Sequence, residues 1–294
     1  MTDLGYDYRN PVVYDNDDHR DVYTDEYLLA LASAGEITLA GMITTYTHDR
    51  GEYAEFVDGR REIVAKARRS GMKHLPDPVA GPDHALVRPA DGRPESTAPI
   101  DAPGSRLIVQ QARTASPELP LVVICGGPLT AVADAYLLDP SIADRVIVAA
   151  LLASPEGLYG WNCGIDLWAA EIVAARMRLV IFPESTNTET AARVPKSALS
   201  ALPESELREW MIEKQHPTNF GPWDRDADGQ PAVALMRGDY ACAVRRVSLD
   251  GYDGEVPRFG DDPDGAITIV TDADADIATE EFFRALTNPA AYSR

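Results

Sequence analysis

Histidine and cysteine are scarce in this chain, with five and three respectively among 294 residues. Cys125, Cys163 and Cys242 lie far apart, so no C-x-x-C spacing offers a thiolate metal site, and an odd count speaks against a disulfide framework. Cys125 and Cys163 are expected to be buried, inert thiols, and a reducing cytoplasm fits the cysteine usage best. Basic residues are also few, 27 Lys and Arg against 47 Asp and Glu, giving a formal net charge of -20. That balance argues against nucleic acid and against anionic membrane surfaces as partners. No apolar run approaches the length needed to span a bilayer. Residues 1–6 carry neither the charged nor the apolar region of a signal peptide. The glycine spacing of a dinucleotide or phosphate loop is incomplete, which disfavours NAD and ATP. Ser154 and Ser185 stand in no G-x-S-x-G context.

Apolar residues and carboxylates are what the chain has in quantity. Hydrophobic residues make up 45%, enough for a substantial core. The densest acidic stretch is residues 14–26, with five aspartates and one glutamate, placed between an apolar run (Pro11, Val12, Val13, Tyr14) and a helical pattern from Tyr27 to Ala32. A strand that ends in carboxylates and leads into a helix puts them at the carboxyl end of that strand, where open α/β sheets hold ligands. Clustered anions need a cation or shared protons, and the oxygen-only donors favour a hard metal. An EF-hand fits in part: Asp15, Asp17, Asp21 and Glu26 fall at positions one, three, seven and twelve. It fails at His19 and Arg20, the latter where glycine is required, and at the preceding segment, which reads as a strand. A second cluster, residues 224–229 (Asp-Arg-Asp-Ala-Asp-Gly), has the first half of a calcium loop, but Leu235 stands where the bidentate carboxylate belongs. It reads equally as a solvated acidic turn.

Strands and helices alternate along the rest. Buried strands are expected near residues 36–45, 119–125, 146–152 and 179–182, with further strands near 243–249 and 267–271. Helices are expected near 52–69, 106–115, 131–138, 166–177, 204–214, 231–236 and 279–286. Residues 75–104, rich in Pro, Gly and Asp, form a long loop region, either a flap or a surface excursion, with one strand-like piece at 78–80. With no repeat and no linker, the expected architecture is a single α/β domain over residues 1–294, a mostly parallel central sheet flanked by helices.

Several ordered segments together resemble one family. The acidic strand-to-helix stretch is similar to the D-x-D-x-x-x-D-D signature of inosine-uridine-preferring nucleoside hydrolases. Gly127-Pro128-Leu129-Thr130-Ala131-Val132-Ala133 resembles that family's G-P-L-T-N-[IL]-A segment. Trp161-Asn162 through Ala170 resembles its E-F-N-…-A-A segment, and Asp228 with residues 231–234 its H-D-P-x-A-V-A segment. The resemblance implies a Rossmann-like open sheet and calcium-dependent cleavage of the N-glycosidic bond of a riboside by a metal-activated water. It implies Asp17 as base and metal ligand, with Asp25, Asp228, the Gly126 carbonyl and Asp15 completing the metal set. Asp21, Asp49, Asn162 and Trp161 are implied at the substrate, and a homodimer or homotetramer as the assembly. Departures accompany the matches. Thr24 stands in place of the first of the paired aspartates, Gly160 in place of a ribose-binding Glu, and the His-Asp pair is absent as such, so either Asp224 or Asp228 supplies the distal ligand. The cations of residues 19–20 and 48–50 either pair with neighbouring aspartates or admit a phosphorylated 5′ group. A second expectation, from a different class, is a fold relative without catalysis that binds a riboside or serves as an assembly subunit.

Overall fold

Alternation with a period of two along the apolar runs settles where the core lies. On Val12-Val13-Tyr14, residues 12 and 14 join the core on one face of the sheet and residue 13 the core on the other. Residues 121–125, 146–151 and 179–182 divide their side chains between the two faces in the same way. Strands buried on both faces read as continuous apolar runs, which is the pattern of a parallel sheet covered by helices on each side.

The computed structural model describes residues 3–18, 23–47, 53–214 and 224–292. Its strands are β1 (Pro11–Asn16), β2 (Thr38–Thr44), β3 (Pro78–Ala80), β4 (Leu121–Cys125), β5 (Val146–Leu151), β6 (Arg178–Phe182), β7 (Ala192–Val194), β8 (Asp224–Asp226), β9 (Ala241–Asp253), β10 (Val256–Asp261) and β11 (Ile267–Ala273). Nine of them form one sheet in the order β10-β9-β11-β6-β5-β4-β1-β2-β3, and β7 pairs with β8. From β3 to β11 every neighbouring pair is parallel; β9 and β10 join antiparallel at one edge. The expected α/β class with a mostly parallel, helix-flanked sheet is therefore what the chain adopts.

The chain winds outward from β1 through β2 to β3, then restarts at β4 on the other side of β1 and winds through β5 to β6. Winding reverses between β1 and β4, and open α/β sheets hold their ligands outside the carboxyl ends of the strands at such a reversal. The helix after β1, Thr24–Ser33, has residues 24–32 all buried. It packs in one core with Ile63, Val64 and Ala67 of Tyr53–Arg69 and with Phe282 of Ala275–Thr287. Pro103–Ala112, Thr130–Leu138 and Leu167–Arg176 cover the opposite face.

One expectation changes. Residues 224–226 are a strand instead of a solvated turn, with Asp224 and Asp226 buried and Arg225 half-buried between them. β10, a strand not among those expected, forms a hairpin with β9 around Gly254 at φ +61°. Asp253-Gly254 is the local signal for that turn.

The long segment before Pro103–Ala112 is pinned to the helices outside the sheet. The buried Asp134 carboxylate accepts from the backbone N–H groups of Ile100 (2.7 Å), Asp101 (3.1 Å) and Ala102 (3.1 Å). Asp166 likewise accepts from Leu86 N–H at 2.9 Å and from the Thr130 hydroxyl at 2.8 Å. Asp134→Ala strands these donors, and each buried donor left without an acceptor costs about 1–3 kcal/mol. The expected outcome is a lower urea midpoint with an unchanged denaturant slope, measured by far-UV circular dichroism.

Candidate active site

The carboxyl end of β1 brings four buried polar residues in succession, Asp15 to Asp18, to the edge where the winding reverses. Asp15 is 1% exposed and accepts from the Thr45 hydroxyl at 2.5 Å. Burial pushes its carboxyl up to about 7, against the pull of Thr45 and Arg60. The buried Asn16 amide donates to the Tyr14 hydroxyl (2.6 Å) and to Asp228 Oδ2 (2.9 Å), so it ties β1 to the start of helix Gln230–Met236. Asp17, 6% exposed, folds its Oδ1 back onto the Asp18 N–H at 2.7 Å. Burial raises the Asp17 carboxyl above its ordinary value, which makes it a stronger proton acceptor once ionised.

Across the reversal in winding, β4 ends in Gly126-Gly127. The Gly126 N–H donates to the Asp15 carbonyl at 3.0 Å and extends the ladder by one residue. Side chains are excluded here by close approach: a Cβ on Gly126 would come within 2.6 Å of Asp228 Cγ, and one on Gly127 within 3.1 Å of Asp17 Cγ. The two glycines therefore let Asp17 and Asp228 lie against the same turn. The side-chain amide of Asn162 donates to the carbonyls of Gly126 (2.8 Å) and Leu151 (2.9 Å) and fastens the ends of β4 and β5.

Glu184, just beyond β6, completes this edge. It accepts from the backbone N–H groups of Trp161 and, at 3.0 Å, Asn162. Burial pushes its carboxyl up to about 7; those N–H groups pull it down, and the charge on Asp17 adds to the rise. Gly160 has φ +144°, and a Cβ there would lie 2.6 Å from Glu184 Oε2. A carboxylate from the turn after β6 thus fills the space where the family resemblance places a glutamate on residue 160. Trp161 beside it is 54% exposed.

Beneath the edge, two cations neutralise a layer of buried acids. Arg60, fully buried on helix Tyr53–Arg69, donates from Nε to Asp25 Oδ1 at 2.9 Å. Lys214 pairs with Glu26 at 2.8 Å and lies 4.9 Å from the centre of the Tyr23 ring. Asp226 accepts from the Thr24 hydroxyl at 2.6 Å and the Tyr23 N–H at 3.2 Å, and burial pushes it up to about 7. Thr24 therefore meets a carboxylate from β8 at the position where the family pattern has an aspartate of its own.

The calcium site implied by the resemblance does not fit these residues. Calcium takes six to eight oxygen ligands, yet among the described residues no three His, Cys, Asp or Glu side chains gather in a way that could hold a metal. The Asp25 Oδ1 is held by Arg60, Asp228 Oδ2 by Asn16, and the Gly126 carbonyl by Asn162. Asp15, Asp17, Asp228, Gly126 and Asn162 do come to one edge as the sequence suggests, whereas Asp25 lies in the ion pair below. Asp21 and Asp49, with His19, Arg20, His48, Arg50 and Trp223, lie outside the described residues. Cys125 and Cys163 are fully buried and burial raises both thiols well above their ordinary value, as an inert role requires.

Sequence reasoning passed over Asn16, Arg60 and Glu184, and met Asp226 only as part of the acidic cluster at 224–229. Arg60 had a signal, because Phe56, Arg60, Ile63 and Ala67 fall on one helical stripe. So did Glu184, which closely follows a fully apolar strand.

A pH dependence follows from the raised carboxyls. Asp15, Glu184 and Asp226 bind protons more tightly folded than unfolded, so between about pH 4 and 7 the native state holds more protons. Stability contributed by these groups is full below their ordinary range and is lost as pH rises through about 7. Thermal scans from pH 5 to 8 should show a falling midpoint, and Asp226→Asn should flatten that fall.

No family model matches the chain, and no curated protein matches it. Solved structures match over nearly the full length. A plant nucleoside hydrolase is similar over 95% of this chain and 99% of that one, with a TM-score of 0.68 and 17% identity. A purine-preferring ribonucleoside hydrolase from Gardnerella vaginalis is similar over 96% and 99%, with a TM-score of 0.69 and 15% identity. A type III effector protein complexed with adenosine diphosphate ribose is similar over 98% and 96%, with a TM-score of 0.61 and 13% identity. The resemblance read from the ordered sequence segments holds at the level of architecture: this chain has the nucleoside hydrolase fold.

Proposed function

We infer that the edge formed by β1, β4 and Glu184 binds a riboside and that the chain hydrolyses its N-glycosidic bond. The observation that carries this reading is the placement of Asp17 against Gly127 where the winding reverses, with the Glu184 carboxylate close enough to feel its charge. Cleavage of a riboside passes through an oxocarbenium-like centre, and ionised carboxylates around the sugar stabilise the positive charge that develops there. In this reading Asp17 accepts a proton from the attacking water, and its raised proton affinity suits that task. The Asp18 N–H and the Gly127 backbone fix the direction of the Asp17 carboxylate. Asn162 keeps the Gly126 carbonyl in place, Glu184 offers its remaining lone pairs to a sugar hydroxyl, and Trp161 provides an exposed face for the base. The calcium expected from the resemblance takes no part in these steps.

A second reading is binding of a riboside without cleavage. The ion pair of Asp25 favours it, since that residue is diverted from the implied chemistry. The effector structure with adenosine diphosphate ribose supports including ribosides with an extended 5′ group among the ligands to be tried.

The two readings separate in one experiment. Release of free ribose or ribose phosphate is followed for inosine, uridine, inosine 5′-phosphate and adenosine diphosphate ribose. Asp17→Asn should lower kcat by about 10²–10⁴-fold, the usual contribution of a positioned base, with a much smaller change in riboside affinity measured by calorimetry. Full activity in that variant would remove Asp17 from the proposed role. Binding without release by the unaltered protein would favour the second reading.

A further inference from the structure

The acidic layer under the site has its own cation, and that cation is a side chain. Arg60 reaches inward from helix Tyr53–Arg69 with no exposure to solvent. Besides Asp25, its guanidinium donates from Nη1 to the Asn16 carbonyl (2.8 Å), the Ile43 carbonyl (3.0 Å) and the Thr44 hydroxyl (2.9 Å). A carboxylate, two carbonyls at the ends of β1 and β2 and a hydroxyl are the kinds of oxygen that a hard metal ion would collect. Here a planar fork of N–H donors collects them. The Tyr14 ring lies 5.7 Å from Cζ and presents a further favourable face.

We propose that Arg60 is the resident cation of this site, and that the site folds and binds its ligand without a divalent metal. Three features carry the assignment. A guanidinium keeps its proton in any protein setting, so the positive charge is permanent. Asp25 commits Oδ1 to Arg60, so only Oδ2 is left for a metal, and holding a metal through both oxygens would leave the buried guanidinium without its carboxylate. A divalent ion drawn to Asp25 would also stand a few ångströms from that fixed charge, with little solvent between them to screen the repulsion. Asp25 Oδ2 has no hydrogen-bond partner and is the atom a metal would need. Among the described residues, however, the other carboxylates do not gather around it. Arg60 also acts on the residues above it: its charge favours the ionised forms of Asp15 and Asp17. Lys214 serves Glu26 in the same way, so the neighbouring acids of helix Thr24–Ser33 are each neutralised by a side chain.

The inference concerns the same site as the riboside reading but does not need turnover to be tested. The full chain, stripped with EDTA, is titrated with CaCl2 by calorimetry and scanned thermally with and without the salt. The expected result is no saturable heat up to about 1 mM, the weak end of protein calcium sites, and one melting temperature in both conditions. Saturable binding below that concentration, with a rise in melting temperature that Asp17→Asn removes, overturns the proposal. Arg60→Met tests the converse, because it frees Asp25 and leaves the acids without their cation. That variant should melt lower than the parent and regain part of the loss on addition of CaCl2. A variant as stable as the parent, and as indifferent to calcium, also overturns the proposal. Should Arg60→Met not fold, Arg60→Met with Asp25→Leu removes both charges together. The double variant is expected to fold and to stay indifferent to calcium; a calcium-stabilised double variant counts against the proposal. Failure of ribose release with no calcium binding would sink the hydrolase reading and leave this one standing.

Discussion

Burying several carboxylates at the edge of one sheet is the constraint to which much else in this structure answers. Asp15, Asp25, Glu26 and Asp226 are each at most 1% exposed, and ionised carboxylates are costly to remove from water unless paired or hydrogen-bonded. The chain meets that cost in three ways. Arg60 and Lys214 supply opposite charge to Asp25 and Glu26. Hydroxyls and backbone N–H groups serve Asp15 and Asp226. The remainder of the strain is taken up as raised proton affinity, which leaves Asp15, Asp226 and Glu184 near 7.

The sheet makes this arrangement possible. Reversal of the winding between β1 and β4 leaves their carboxyl ends uncovered by a crossover, and the paired glycines of β4 let Asp17 and Asp228 approach the backbone. β5 and β6 then bring Asn162 and Glu184 to the same edge. Ala153, just after β5, adopts φ +67° and accepts from the Glu184 N–H at 3.1 Å through its carbonyl. A non-glycine residue in that region costs about 1 kcal/mol or more and persists only where its surroundings hold it. Its place beside Glu184 marks this corner as one that the fold keeps at some expense.

Similarity to nucleoside hydrolases in architecture, combined with a diverted Asp25, separates two properties of the fold. Placing loops at the carboxyl ends of the strands follows from the sheet and its reversal in winding. Holding a metal depends on a few carboxylates being left without other partners. In this chain the sheet and its reversal are present, while Asp25 gives one carboxylate oxygen to Arg60.

Local pattern was sufficient for much of this. Period-two apolar runs, helical stripes and glycine positions gave the strands of the parallel sheet and the main helices, and the acidic end of β1 with Gly126-Gly127 marked the edge where Asp17 and Asp228 meet the turn after β4. These features depend on residues close in sequence, where backbone geometry limits the choices. The partners of the charges were decided elsewhere. Asp25 meets Arg60 across 35 residues, Thr24 meets Asp226 across 202, and Asn16 meets Asp228 across 212. No local rule fixes which of many acids a distant cation or hydroxyl will face, because that depends on how helices and strands stack. The sequence alone determined that acids would be concentrated at the end of β1. Only the tertiary structure decided that an arginine would lie beneath them, since burial of that guanidinium exists only once the helix has packed against the sheet.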